Sequence, residues 1–379
     1  MSAVPEPVVH AVAPRPEAER AFALITGGGT GGHVSPAIAL GQELVRRGHR
    51  PESVSYVGAR GRLEATAVPA AGFTIDLLPV RGLRFRATVE NMRVLWDALR
   101  SLVAALGIVR RLRPRVVVGV GGYASLPCVV AARLLRIPTV VHEQNAAPGL
   151  ANRIAVRLGA RAAVSLPDTP LRDAVLTGNP VRREMFDLQR TPVEPPLIAI
   201  VGGSLGAGTL NDTALGLYDR WRDRSDVAVY HIAGERNLAT CAQRLAALRR
   251  PGDRLRYDIV GYDEHIDSVY ARAALAVCRA GASTVAELAV AGLPAILVPL
   301  PGAPSDHQTR NARALADAGA AVVLADVECD AARVDDLVRG LVDDRAGLGR
   351  MGERARAVGR RDAAARLADL VEEAAGVRA

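Results

Sequence analysis

The chain contains no lysine; all 48 of its Lys and Arg positions are arginine. Guanidinium suits phosphate well, but arginine at every such position, amid abundant Ala, Gly and Val, is first a compositional bias. Most of these arginines are therefore read as ordinary surface charge. With 40 acidic residues the formal net charge is +8, which favours anionic partners such as membrane headgroups or sugar nucleotides. Nucleic acid is not among the expected partners. Aromatics are few (four Phe, two Trp, seven Tyr) and are not interleaved with arginine as base-stacking binders require. Cysteine is scarce too: Cys128, Cys241, Cys278 and Cys329 lie far apart without a CxxC pair or a nearby histidine cluster. That argues against a disulfide frame or a metal site and fits a reducing, cytosolic compartment. No uninterrupted apolar run reaches the roughly 18 residues of a spanning helix. Residues 1–20 are rich in Pro and Ala and lack an apolar h-region, so they read as a disordered tail rather than a signal peptide.

What is present points to an α/β protein. At 379 residues, 49% of them hydrophobic, the chain is long enough for two cores. After the apolar run 22–25 comes Gly27-Gly28-Gly29-Thr30-Gly31-Gly32-His33, followed by a helix-like segment from Pro36. Glycines between a strand and a helix let backbone N–H groups and the positive end of a helix dipole approach an anion, usually a phosphate. The spacing fits neither the dinucleotide fingerprint nor a Walker loop. A second such loop, Gly202-Gly203-Ser204-Leu205-Gly206-Ala207, follows the apolar run 197–201. Strand-like runs at 22–25, 53–57, 116–120, 139–142 and 162–164 alternate with helix-like segments at 36–47, 94–113, 125–135 and 149–157. After the Pro-rich stretch 191–196 the pattern restarts, with strands at 197–201, 227–232, 257–260, 275–278 and 295–298. Helices are expected at 237–249, 283–291 and 308–318, and 345–379 reads as helical throughout. Such alternation predicts parallel sheets covered on both faces. The expected organisation is a tail (1–20), an N-terminal Rossmann-like domain (21–185), a C-terminal Rossmann-like domain (186–345), and C-terminal helices (346–379) that can pack back on the first domain. Two glycine loops at the carboxyl ends of strands predict domains facing one cleft.

The ordered motifs resemble the MurG family of glycosyltransferases. They are Gly28-Gly29-Thr30-Gly31-Gly32-His33-Val34-Ser35-Pro36-Ala37, Gly121-Gly122-Tyr123-Ala124-Ser125, His142-Glu143-Gln144-Asn145-Ala146, Gly178-Asn179-Pro180-Val181-Arg182, Gly202-Gly203-Ser204, Arg279 through Glu287, and Asp306 through Ala312. The resemblance implies the two-domain GT-B fold and no bound cofactor or metal. It implies inverting transfer of GlcNAc from UDP-GlcNAc to the MurNAc 4-hydroxyl of undecaprenyl-diphosphate-linked MurNAc-pentapeptide. It also implies a peripheral position on the cytoplasmic face of a bacterial membrane, with an anionic membrane surface, and other cell-wall synthesis proteins, as further partners. On the donor side Ser204 and Gly203 sit where the second loop can hold the diphosphate, and the resemblance assigns Arg182 to a charge-assisted contact, Glu287 to both ribose hydroxyls, Gln308 to sugar hydroxyls, and Asn211 to a further contact. By the helix-dipole argument the first loop, Thr30, Gly31 and Gly32, is expected to meet the acceptor diphosphate, and Asn145, after its strand, is expected to reach into the cleft. His33 is a general base on the acceptor hydroxyl or a positioning group, and Glu143 is the rival base. Leu205 stands where many relatives carry glutamine, and 261–266 only loosely matches the uracil-reading strand end.

A lipid acceptor demands contact with a membrane. Arg81-Gly82-Leu83-Arg84-Phe85-Arg86 alternates cationic and apolar residues in an expected loop, and it is the preferred membrane candidate. The stripe Leu95, Leu99, Leu102, Leu106 and Val109 is expected to face the domain core instead. Two other readings compete: another UDP-sugar enzyme of this architecture, such as a glycolipid glycosyltransferase or a UDP-GlcNAc 2-epimerase, and a catalytically silent scaffold.

Overall fold

The computed structural model describes residues 20–29, 31–79, 90–203 and 206–377, and of 90–95 the backbone alone. In chain order the first elements are β1 (Ala23–Thr26), α1 (Gly31–Arg46), β2 (Val54–Ala59), α2 (Glu64–Ala70), β3 (Thr74–Leu78), α3 (Glu90–Leu112) and β4 (Val116–Gly119). There follow α4 (Ser125–Leu134), β5 (Thr139–Glu143), α5 (Leu150–Arg157), β6 (Arg161–Val164) and β7 (Val175–Leu176). The pattern then repeats as β8 (Leu197–Val201), α6 (Gly208–Trp221), β9 (Ala228–Ile232), α7 (Glu235–Leu248), β10 (Arg256–Val260), α8 (Ile266–Arg272) and β11 (Ala273–Cys278). The rest is α9 (Ala282–Ala291), β12 (Ala295–Leu297), α10 (His307–Ala316), β13 (Ala321–Val323), α11 (Ala331–Asp343), α12 (Arg345–Val358) and α13 (Ala363–Ala374).

Two compact units result: Met1–Pro180 with Asp362–Ala379, and Val181–Arg361. Each holds one wholly parallel sheet, in the orders β3-β2-β1-β4-β5-β6-β7 and β10-β9-β8-β11-β12-β13. Both are doubly wound and Rossmann-like, and in both the strand order reverses beside the first strand. The reversal opens a crevice between β1 and β4, and between β8 and β11, at their carboxyl ends. Each glycine loop leaves the sheet at that crevice, because Thr26 pairs with Gly119 and Val201 with Cys278.

Continuous Val/Ile/Leu/Ala runs explain the burial of both sheet faces. In the first unit, Phe22, Ile25, Leu40, Leu44, Val116 and Val118 pack with Leu367, Leu370 and Val371 of α13. The opposite face carries Leu24, Val57 and Val117 against Val109 of α3 and Cys128 of α4. Arg47 holds α13 in place, meeting Glu43, Asp369 and Glu372 at 3.0, 2.6 and 2.7 Å. The segment 345–379, expected to be helical throughout, is in fact broken between α12 and α13. A Cβ on Gly359 would sit 2.7 Å from the Ala289 backbone, so the chain presses flat against α9 before crossing to the other unit. In the second unit the fully buried Trp221 donates its indole N–H to Asp335 at 2.7 Å.

Candidate active site

In the first unit the loop after β1 lies against the corner after β4. Gly28 N–H donates to Gly121 O at 3.3 Å, and a Cβ on Gly122 would fall 2.2 Å from Gly28 O. A residue missed in the sequence then pins the loop. Glu64, 2% exposed, accepts Gly29 N–H through Oε2 and Ala59 N–H through Oε1, both at 2.9 Å. Its carboxylate fills the space a Cβ on Gly28 would need, at 2.2 Å. Gly27 N–H is also spent, on Val57 O at 3.2 Å. Three loop N–H groups are thus committed within the protein. The first turn of α1, which begins at Gly31, not near Pro36, turns the positive end of the helix dipole toward that loop. Gly31, Gly32 and His33 are that turn. Thr30 lies outside the described residues. His33 sits against Gly121, whose Cβ, if present, would be 3.0 Å from His33 Nε2.

The end of β5 supplies the rest of this half-site. His142 is fully buried; its Nε2 meets Gly178 O at 3.0 Å, and burial pushes the imidazole down to about 4, so it is neutral. Glu143 is 2% exposed and its carboxylate is saturated. Oε1 accepts from Asn145 N–H (3.0 Å) and Asn145 Nδ2 (3.3 Å), Oε2 from Gly149 N–H and Asn152 Nδ2, both at 2.9 Å. A carboxylate so engaged orients the corner 143–152 and has no oxygen free to take a proton. Asn145, half-buried, is held by Glu143 through its own backbone and amide.

In the second unit, Arg182 and Glu287 come together although 105 positions separate them in sequence (287 − 182). Arg182 Nη1 donates to Glu264 O at 3.2 Å, while Nη2 lies 3.7 Å from Glu287 Oε1. Glu287, on α9, is 8% exposed and has no hydrogen-bond donor among the described residues. Burial raises its carboxyl pKa and Arg182 pulls it back. This is a nearly buried carboxylate with its acceptor capacity open. Gln308, in the first turn of α10, accepts Leu300 N–H at 3.0 Å through Oε1, which fixes the amide and leaves Nε2 to donate. Asn311 ties the same helix to Ala280 O at 3.2 Å.

Asn211 behaves differently from its expected role as a donor contact. It is 3% exposed and spent within the protein, donating to Ala233 O at 3.1 Å and meeting His231 Nε2 at 2.9 Å. Its place inside α6 turns it to the sheet, where it supports the corner after β9. Ser204 and Leu205 lie outside the described residues, as does the 81–86 loop. Gly203 remains, at φ 79° just after β8. No group of three or more His, Cys, Asp or Glu among the described residues is arranged to hold a metal ion.

Known proteins place this arrangement. The glycosyltransferase family 28 N-terminal domain matches residues 23–164, and its C-terminal domain matches 197–367. The UDP-N-acetylglucosamine–N-acetylmuramyl-(pentapeptide) pyrophosphoryl-undecaprenol N-acetylglucosamine transferase of Alkalilimnicola ehrlichii is 43% identical, over 93% of this chain and 98% of that protein. The chain belongs to the MurG family. The Shewanella oneidensis transferase of the same name is 38% identical over 92% of this chain and 96% of its own length. The crystal structure of Acinetobacter baumannii MurG superposes with a TM-score of 0.74 at 29% identity, covering 93% of this chain and 99% of that one. A putative UDP-N-acetylglucosamine 2-epimerase from Listeria monocytogenes superposes at 0.65 with 12% identity, a likeness of fold alone. The epimerase reading is accordingly not favoured.

Proposed function

We propose that this chain transfers GlcNAc from UDP-GlcNAc to the 4-hydroxyl of MurNAc in undecaprenyl-diphosphate-linked MurNAc-pentapeptide, inverting the configuration at C1. Membership of the MurG family supports the substrates. The observation that carries the donor site is Glu287, a nearly buried carboxylate whose acceptor capacity is open beside Arg182. Two carboxylate oxygens match a vicinal diol such as the ribose of UDP. Arg182, whose Nε is buried without a partner among the described residues, has a donor to spare for the departing diphosphate. Gln308 Nε2 is directed to the sugar hydroxyls, and Ser204 and Gly203 to the diphosphate. On the acceptor side, the first turn of α1 receives the lipid diphosphate. The helix dipole favours an anion there.

The reaction is a single displacement. The MurNAc O4–H gives its proton to His33 as the O4–C1 bond forms, while the C1–O bond to UDP breaks and UDP leaves with the electron pair. An imidazole titrates near working pH and suits that task. Glu143, with both oxygens occupied, orients the acceptor corner.

The lipid acceptor places the enzyme peripherally on the cytoplasmic face of the membrane. Among the described residues no helix is long and apolar enough to cross one. The outward face of α3 offers a docking patch: Trp96, Leu99 and Val103 are 62, 49 and 68% exposed, with Arg100 beside them. Glu287→Ala is expected to raise the UDP-GlcNAc KM by about ten- to a hundredfold, the cost of lost charge-assisted hydrogen bonds. An unchanged donor KM would remove Glu287 from the site.

A further inference from the structure

Three corners of the second sheet meet at one carboxylate that no motif includes, and a fourth joins them through Arg279. Asp326 follows β13 in a short 3-10 turn. Its Oδ1 accepts from Arg279 Nη1 at 2.5 Å and its Oδ2 from Thr209 Oγ1 at 3.2 Å. Arg279, which follows β11, also donates through Nη1 to Val298 O (3.2 Å) and Pro299 O (3.3 Å), just after β12. The next residue, Leu300, is the one whose N–H holds Gln308 Oε1. Thr209 is the second residue of α6, the helix that the second glycine loop opens.

We infer that Asp326 is a positioning residue for the donor, tying the α6 helix start to the 298–300 turn that sets Gln308. The inference rests on the donor-site reading above, in which the glycine loop that leads into α6 meets the diphosphate and Gln308 meets the sugar. Two features argue that the link is more than surface pairing. The Arg279 and Asp326 side chains are only 12 and 18% exposed, and Asp326 is the one acid paired with Arg279 among the described residues. Truncating Asp326 to Ala removes the oxygen that anchors the largely buried Arg279, and the guanidinium must move to find another acceptor. The 298–300 turn, held by the same nitrogen, moves with it. Small displacements of groups that hold a substrate are costly because the reacting centre must be aligned to a fraction of an ångström. Asparagine differs: its amide keeps an oxygen for Arg279 and an NH2 for the Thr209 hydroxyl, so the geometry survives without the charge.

The test compares Asp326→Ala, Asp326→Asn and Glu287→Ala in the full-length protein, measuring KM for UDP-GlcNAc, KM for the lipid acceptor, and kcat. Asp326→Ala is expected to raise the donor KM by about tenfold while the acceptor KM stays within about twofold, and Asp326→Asn to recover most of the loss. A donor KM unchanged in Asp326→Ala but raised in Glu287→Ala would overturn the inference and leave the donor site standing. Donor and acceptor KM rising together in Asp326→Ala would overturn it as a general folding defect. An unmoved donor KM in both Asp326→Ala and Glu287→Ala would overturn the donor-site reading and this inference with it.

Discussion

Glu143 and His33 carry the two titratable side-chain types of the proposed acceptor half, and four N–H contacts fix the first. Removing the charge of Glu143 leaves at least one of those donors facing an amide. Glu143→Gln is therefore expected to lower kcat by about tenfold, through lost positioning, while the acid limb of the pH–kcat profile keeps its midpoint. His33→Ala is expected to cost about a hundredfold or more in kcat and to abolish that limb, with the donor KM unchanged. A limb that survives in His33→Ala and vanishes in Glu143→Gln would reverse the assignment. At this scale the sequence was informative wherever a motif carried the residue: His33, Glu143, Asn145, Arg182, Glu287 and Gln308 all stand at the carboxyl ends of strands or in the loops and helices that follow. It was silent on what each side chain is spent on. Glu64 grips Gly29 across 35 positions, and Asn211 turns inward to His231 and Ala233. Such bonds depend on tertiary closure and leave no local spacing.

Among the elements, every strand expected from an apolar run is present, because buried parallel strands write themselves as continuous Val/Ile/Leu/Ala stretches, and the edge strand β10 keeps Tyr257, Ile259 and Val260. Those missed are short, exposed or polar: β3 carries Asp76 and is half-exposed, β7 has two residues, and β13 has three. The α3 stripe divides where a single core assignment was expected. Val109 is buried and Leu102 and Leu106 pack against the same cluster, but Leu99 lies exposed with Trp96 and Val103. Leu95 falls outside the described side chains. Spacing three and seven residues on from Trp96 sets Leu99 and Val103 on one face. Replacing Trp96, Leu99 and Val103 by Ser is expected to reduce binding to anionic vesicles by about tenfold while sparing turnover of a short-chain soluble acceptor. Equal loss on both acceptors would show that the face is structural.

The whole molecule repeats one design: two doubly wound units, each with a buried neutral histidine on a strand flanked on both sides. His142 and His231 are both held near 4 by burial, whereas an unfolded histidine titrates near about 6.5. Between those values the unfolded chain binds the extra protons, so stability falls as the pH drops. The expected loss is about 1.4 kcal/mol per pH unit for each histidine, read from urea midpoints at pH 7 and pH 5. Midpoints that coincide would mean that neither imidazole is buried and neutral. What the duplicated architecture is for is a separate question, because the same fold serves both transferases and epimerases. It is decided by UDP release from UDP-GlcNAc by the purified protein, with and without the lipid-linked MurNAc-pentapeptide. Transfer predicts release that depends on the acceptor and matches the disaccharide formed. Release at the same rate without acceptor would contradict it.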